Sequence, residues 1–118
     1  MTALDEHAAA AVADHVGQVW ADDILPTLHD YIRIPCVSVL FDPEWRAHGH
    51  LDQAIALIRE WCAARTIAGL TVEVIELPGR TPVILCEVPA FGSAGQALPH
   101  DDTVLLYGHC DKQPEMTG

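Results

Sequence analysis

Apolar residues first recur at helical spacing: Val12, Val16, Val19, Trp20, Ile24, Leu28, Tyr31 and Ile32. That period predicts an amphipathic helix. Thr2 to Asp5 offer polar side chains to cap its start. Pro26 falls inside the pattern and predicts a kink or a division, because proline has no N–H and crowds the preceding turn. Pro35 predicts the end. The stretch from Pro35 to Gly49, "PCVSVLFDPEWRAHG", reads as a loop. A second helix is expected from about Leu51 to Ala64, with Leu51, Ile55, Ile58 and Trp61 on one face and Gly69 beyond its end. The period then shortens. "TVEVIEL" alternates as a strand does, with Val72 and Val74 on one side. Pro78-Gly79 is a turn signal. "TPVILCEV" is a continuous apolar run and predicts a strand buried on both faces. A Gly-, Ala- and Pro-rich loop is expected from Pro89 to about His100, and "TVLLYGH", Thr103 to His109, reads as the third strand.

The order is two helices, then three strands, which defines an α/β class with helices covering a sheet. There is no internal repeat and no low-complexity segment. Three strands with two buried faces are too few to close a domain, and small domains already bury a limited fraction of their surface. The expectation is that further strands and helices lie beyond Gly118, with residues 1–118 forming the N-terminal portion of a larger domain.

Charge narrows the partners. Lys and Arg number 6 against 17 Asp and Glu, for a formal charge of −11. A polyanion needs a basic face, so nucleic acid and anionic membranes are disfavoured. The N-terminal "MTALDEHAAAAVADHVGQVW" has no Lys or Arg and so lacks the positive region of a signal peptide. No apolar run approaches the roughly 20 residues of a membrane span. A cytoplasmic location is the default expectation. Half the residues are hydrophobic, enough to build a core.

The cysteines, Cys36, Cys62, Cys86 and Cys110, are spread widely, with no Cys-x-x-Cys pair. They read as separate reduced thiols, mostly packed as small hydrophobes, rather than as a zinc knuckle or a disulfide frame.

The chemistry concentrates in "LLYGHCDKQPE", Leu105 to Glu115. Residues two apart in a strand share a face, so His109 and Asp111 lie on one side and Cys110 on the other. Both sit at the carboxyl end of an apolar strand, where open α/β sheets place their sites. An imidazole is a good zinc ligand, and a neighbouring carboxylate can fix its tautomer and orientation. By spacing alone the pattern is weak, and the pair reads first as a surface histidine with an aspartate at a strand end. A nucleophilic Cys110 activated by His109 is disfavoured, because adjacent strand residues point to opposite faces.

The full string resembles the first metal motif of the co-catalytic di-zinc peptidases, the family of carnosinase-like dipeptidases, aminoacylases, acetylornithine deacylases and glutamate carboxypeptidases. Its pattern is an apolar strand followed by Gly-His-x-Asp-x-x-Pro, here Gly108 to Pro114. Lys112-Gln113-Pro114 is most similar to the dipeptidase branch. Upstream, "LHDYIRIPCVS", "HLDQAIALIREWCAA" and "GLTVEVIELPGRTPVILCEVPA" resemble the family's first helix ending, second helix and first two strands. The resemblance covers roughly Val19 to Gly118. It implies a piece of a zinc-peptidase catalytic domain, with His109 as a zinc ligand and Asp111 as the catalytic aspartate that orients it. It also implies two zinc ions, and small peptides or N-acyl amino acids as substrates.

Departures accompany it. The family's bridging Asp, Glu-Glu pair, further acid and final His all follow this motif, and none is present here. The inserted dimerisation domain is absent too. Cys36 stands where a Ser is common, and Cys110 occupies the variable position. The chain alone is therefore expected to be inactive. It is either the first part of a metallo-hydrolase, or a non-catalytic truncated relic, or a half that needs a second chain. Its protein partner would be a second copy in a homodimer or a complementing C-terminal half.

The remaining candidates have plainer readings. His48 and His50 flank Gly49 and read as solvated loop residues rather than a ligand pair. His7, His15 and His29 read as surface or half-buried helix positions, and His100-Asp101-Asp102 as a polar loop. Trp20, Trp45 and Trp61 read as packing.

Overall fold

The computed structural model describes residues 5–90 and 103–116. Thr2, the loop beyond Ala90 and the His100-Asp101-Asp102 group lie outside these residues. The chain divides at Pro35 into two units, each described by itself.

The first unit is helical. Helix α1 spans Glu6–Val19, and its cap is Asp5, whose carboxylate accepts from the Ala8 N–H at 2.7 Å. Such a cap satisfies one of the orphan donors of the first turn. Residues Trp20–Ile24 form a single π-helical turn, in which the Leu25 N–H reaches the Trp20 carbonyl five residues back. Helix α2, Leu25–Arg33, follows directly with Pro26 in its first turn. Pro26 divides the helix as expected, but the widened turn absorbs the division without a break. Thr27 Oγ1 donates to the Asp23 carbonyl at 2.8 Å across the same turn. The helix stops at Arg33, where Ile34 is extended (φ −72°, ψ 120°), the conformation that a following proline favours. No residue of these segments is buried. Val12, Val16 and Trp20 keep about half their surface exposed along one stripe.

The second unit carries the sheet. The stretch expected to be a loop contains a short helix, α3, Trp45–His48. Gly49 (φ 69°) then turns the chain into α4, His50–Ala63. Leu51, Ala54 and Ile55 are the buried positions of α4, an i, i+3, i+4 stripe. Trp61 is half-buried, with the Arg65 guanidinium 4.1 Å over its ring. Strands β1, Thr71–Ile75, and β2, Val83–Glu87, pair antiparallel, Thr71 opposite Glu87 and Ile75 opposite Val83. Between them the Arg80 N–H bonds to the Leu77 carbonyl at 3.1 Å, with Gly79 at φ 72°. Proline followed by a left-handed glycine at the two central positions is the signature of a type II turn. Helix α4 packs on both strands.

Two expectations are corrected. Strand β2 is not buried on both faces: Ile84 is half-buried and its other residues are exposed. The reason is that α4 covers one face of a two-stranded sheet and no second layer covers the other among the described residues. The third strand is not formed. Residues 103–110 carry no strand pairing, and Val104, Leu105, Leu106 and Tyr107 are each at least 86% exposed. A strand is held by a ladder to a neighbour, and apolar sequence alone does not supply one. The fold is thus mixed α/β with one antiparallel pair. The buried apolar side chains are Cys36, Leu51, Ala54 and Ile55 among the described residues.

Gly69 shows how tightly the α4–β1 connection is drawn. It has φ 75°, and a Cβ there would lie 2.8 Å from Pro89 Cγ and 2.9 Å from Pro89 Cδ. Gly79 has a similar φ but open space around it. Gly69→Ala is expected to cost about 2–3 kcal/mol, the left-handed penalty plus a collision with a stiff ring, and Gly79→Ala about 1 kcal/mol. Urea unfolding of the two variants checks this; equal costs would show that the Pro89 contact yields freely.

Candidate functional site

Residues Cys36 to Ser38, just past Pro35, hold the motif from below. The Ser38 N–H donates to the Lys112 carbonyl at 2.8 Å, and the Lys112 N–H donates to the Cys36 carbonyl at 3.0 Å. These bonds make an isolated parallel bridge between Val37 and Lys112. Cys36 Sγ donates to the Cys110 carbonyl at 3.6 Å. Burial pushes the Cys36 thiol up, and the neighbouring Cys110 adds to this. Cys36 is therefore a small, protonated, buried side chain that packs the bridge.

On this support His109 and Asp111 come together. His109 Nδ1 lies 2.9 Å from Asp111 Oδ1 and 3.0 Å from the Asp111 carbonyl. Burial alone would raise the Asp111 carboxyl. The hydrogen bonds from the Ser38 hydroxyl and from His109 outweigh it and hold the group below its ordinary value. An ionised carboxylate can only accept, so Nδ1 is the donor in this contact and Nε2 is the ring nitrogen left for another partner. The His109 side chain is 65% exposed and that of Asp111 34%. Cys110 is half-buried, and burial followed by the Asp111 charge pushes its thiol up. A raised thiol is a poor nucleophile at neutral pH.

Beside the pair lies an apolar groove of about 630 Å³, walled by Leu51, Ile55 and Ile58 of α4, by Thr81 to Leu85, and by Leu105 to Asp111. Among the described residues no group of three or more His, Cys, Asp and Glu side chains could hold a metal ion. Zinc is held by three or four protein ligands. One imidazole nitrogen, and a carboxylate already engaged by His109 and Ser38, do not complete such a site.

His48 and His50 make contacts of their own. His48 Nδ1 pairs with Asp42 Oδ1 at 2.8 Å, and that hydrogen bond raises its pKa, helped by the Asp42 charge. The His48 and His50 rings are 5.9 Å apart and tilted. His7, His15 and His29 are exposed on the helices. Ser38 is the residue that the sequence reading missed. Its signal was faint: a polar side chain two residues after Cys36 in an alternating Cys-Val-Ser run, which is strand-like spacing.

No model of a known protein family matches the chain, and no curated protein matches it.

Proposed function

We propose that the chain contributes the first corner of the site of a zinc-dependent, dipeptidase-like hydrolase. His109 supplies Nε2 to a metal, and Asp111 fixes the imidazole by accepting from Nδ1–H. The observation that carries this reading is the 2.9 Å contact between Nδ1 and an aspartate held ionised by Ser38. A carboxylate behind a ligating imidazole sets its tautomer and raises its basicity. Two zinc ions, when bound, would activate a water for attack on an amide carbonyl. The remaining ligands and the general base come from a segment outside residues 1–118. The substrates are small peptides or N-acyl amino acids, and the setting is cytoplasmic.

One observation also favours a chain that works only when complemented. Val104 to Tyr107 stand almost wholly exposed beside the apolar groove. Contiguous exposed apolar surface of this kind is covered in a functioning protein. The complementing segment would bring strands to that surface and ligands to the metals.

The 118-residue chain alone is expected to show no zinc-dependent hydrolysis of dipeptides. Mixing it with a second chain that carries a Glu-Glu pair and the later ligands of a di-zinc peptidase should restore hydrolysis. Zinc-dependent turnover by the pure chain would overturn the complementation, and no turnover on mixing would overturn the hydrolase reading.

A further inference from the structure

The segment that braces the His109 motif runs into a paired histidine. The Phe41 and Asp42 N–H groups both donate to the Ser38 carbonyl, at 2.8 and 3.2 Å, and close a turn. One end of this turn is tied to the motif, since the Ser38 N–H donates to the Lys112 carbonyl at 2.8 Å, next to Asp111. The other end is tied to α3. The Asp42 side chain is 12% exposed, and its Oδ1 lies 2.8 Å from His48 Nδ1. The Asp42 carbonyl accepts from the Trp45 N–H at 3.1 Å. His48 Nε2 lies 3.9 Å from Glu44 Oε2, so two carboxylates flank one imidazole. Arg46, also on α3, is engaged with other groups: its guanidinium stands 4.3 Å over the Trp45 ring and donates to the Arg80 carbonyl at 2.9 Å. From α4 the facing titratable group is His50, its ring centroid 5.9 Å away.

We propose that His48 is a pH-sensitive latch that, when protonated, pins Asp42 and so holds the Ser38–Asp42 turn against Lys112. An imidazolium gives Asp42 a charge-assisted hydrogen bond from Nδ1, stronger than the same bond from a neutral ring. It is also attracted to Glu44. Loss of the proton leaves a neutral donor at Nδ1 and removes both charge attractions. The hydrogen bond to Asp42, and after it the Asp42 charge, hold the His48 pKa above its ordinary value. The latch is therefore fully engaged below the ordinary histidine pKa and weakens as pH rises through the raised one. Histidine titrates near neutrality, so the change falls in a physiological range. His48 reaches the motif only through the turn and is a positioning residue. Its bearing on hydrolysis rests on the function proposed above, whereas the latch does not, and the two can fail separately.

The test follows the isotope-labelled 118-residue chain by NMR from about pH 5 to about pH 9. The His48 ring is expected to titrate at a higher pH than a histidine in a short unstructured peptide, and Asp42→Asn should bring its midpoint down. Across that titration, amide exchange at Phe41 and Asp42 should accelerate about 2- to 5-fold more than in His48→Gln, whose side chain does not titrate. His48 is exposed, so His48→Gln should keep the parent circular dichroism spectrum. A His48 midpoint at or below that of the peptide would overturn the proposal. So would a midpoint unmoved by Asp42→Asn, or exchange at Phe41 and Asp42 that runs parallel in the parent chain and in His48→Gln. The expected titration and exchange, found together with no turnover on mixing with the second chain, would uphold the latch and remove the hydrolase reading.

Discussion

In the proposed hydrolase, once completed, His109→Ala is expected to lower kcat/KM by more than about 100-fold, and Asp111→Asn by about 10- to 100-fold. The two variants remove different things. His109→Ala deletes the ring nitrogen that Asp111 and Ser38 have prepared, so bound zinc should fall together with activity. Asp111→Asn keeps the shape and still accepts from Nδ1–H through its amide oxygen. It loses the negative charge, so the imidazole becomes a weaker base and a weaker donor to the metal. Zinc retention should fall less than in His109→Ala, with the main loss in affinity and turnover at limiting zinc. Metal analysis after dialysis and dipeptide kinetics at graded zinc separate the two effects. Full zinc content and unchanged kcat/KM in His109→Ala would remove the basis for placing this histidine in a metal site.

Ile55→Ala is expected to remove a large part of the stability of the second unit, about 2–5 kcal/mol. Deleting a buried Ile side chain costs about 2–5 kcal/mol through lost transfer energy and the cavity left behind. Whole domains are stable by only about 5–15 kcal/mol. Here the buried apolar set among the described residues is Cys36, Leu51, Ala54 and Ile55, so Ile55 is a large share of it. Ile32→Ala, at a position 64% exposed, should change stability by about 0.5 kcal/mol or less. Urea titration followed by circular dichroism compares the variants. A cost below about 1 kcal/mol for Ile55→Ala would mean that the α4 face does not act as the core.

Several elements were legible because their causes are local. The apolar spacing from Val12 to Ile32 marks a helix, since the 3.6-residue period belongs to the backbone itself. Pro26 and Pro35 act on their immediate neighbours, so a division and an end could be placed from residue type. Its form, a single π-helical turn, could not, because it depends on which carbonyl the Leu25 N–H reaches. The short α3 was hidden for a related reason: four residues are too few to show a period.

At the candidate site His109 and Asp111 do come together, a contact between residues two apart in one stretch of chain, although the strand expected to present them is not formed. Ser38 was not legible, because its contact with Asp111 spans most of the chain and exists only through the Val37–Lys112 bridge.

The strands divide along the same line. β1 and β2 follow from alternation, an apolar run and the Pro78-Gly79 turn, all short-range signals. "TVLLYGH" carries as strong an apolar signal and forms no strand. Periodicity and turn chemistry are properties of a few neighbouring residues and can be read in order along the chain. Burial and pairing belong to whatever lies across from a segment. Three-dimensional packing therefore decided that Cys36 is buried, that β2 stays half-covered and that Val104 to Tyr107 face solvent.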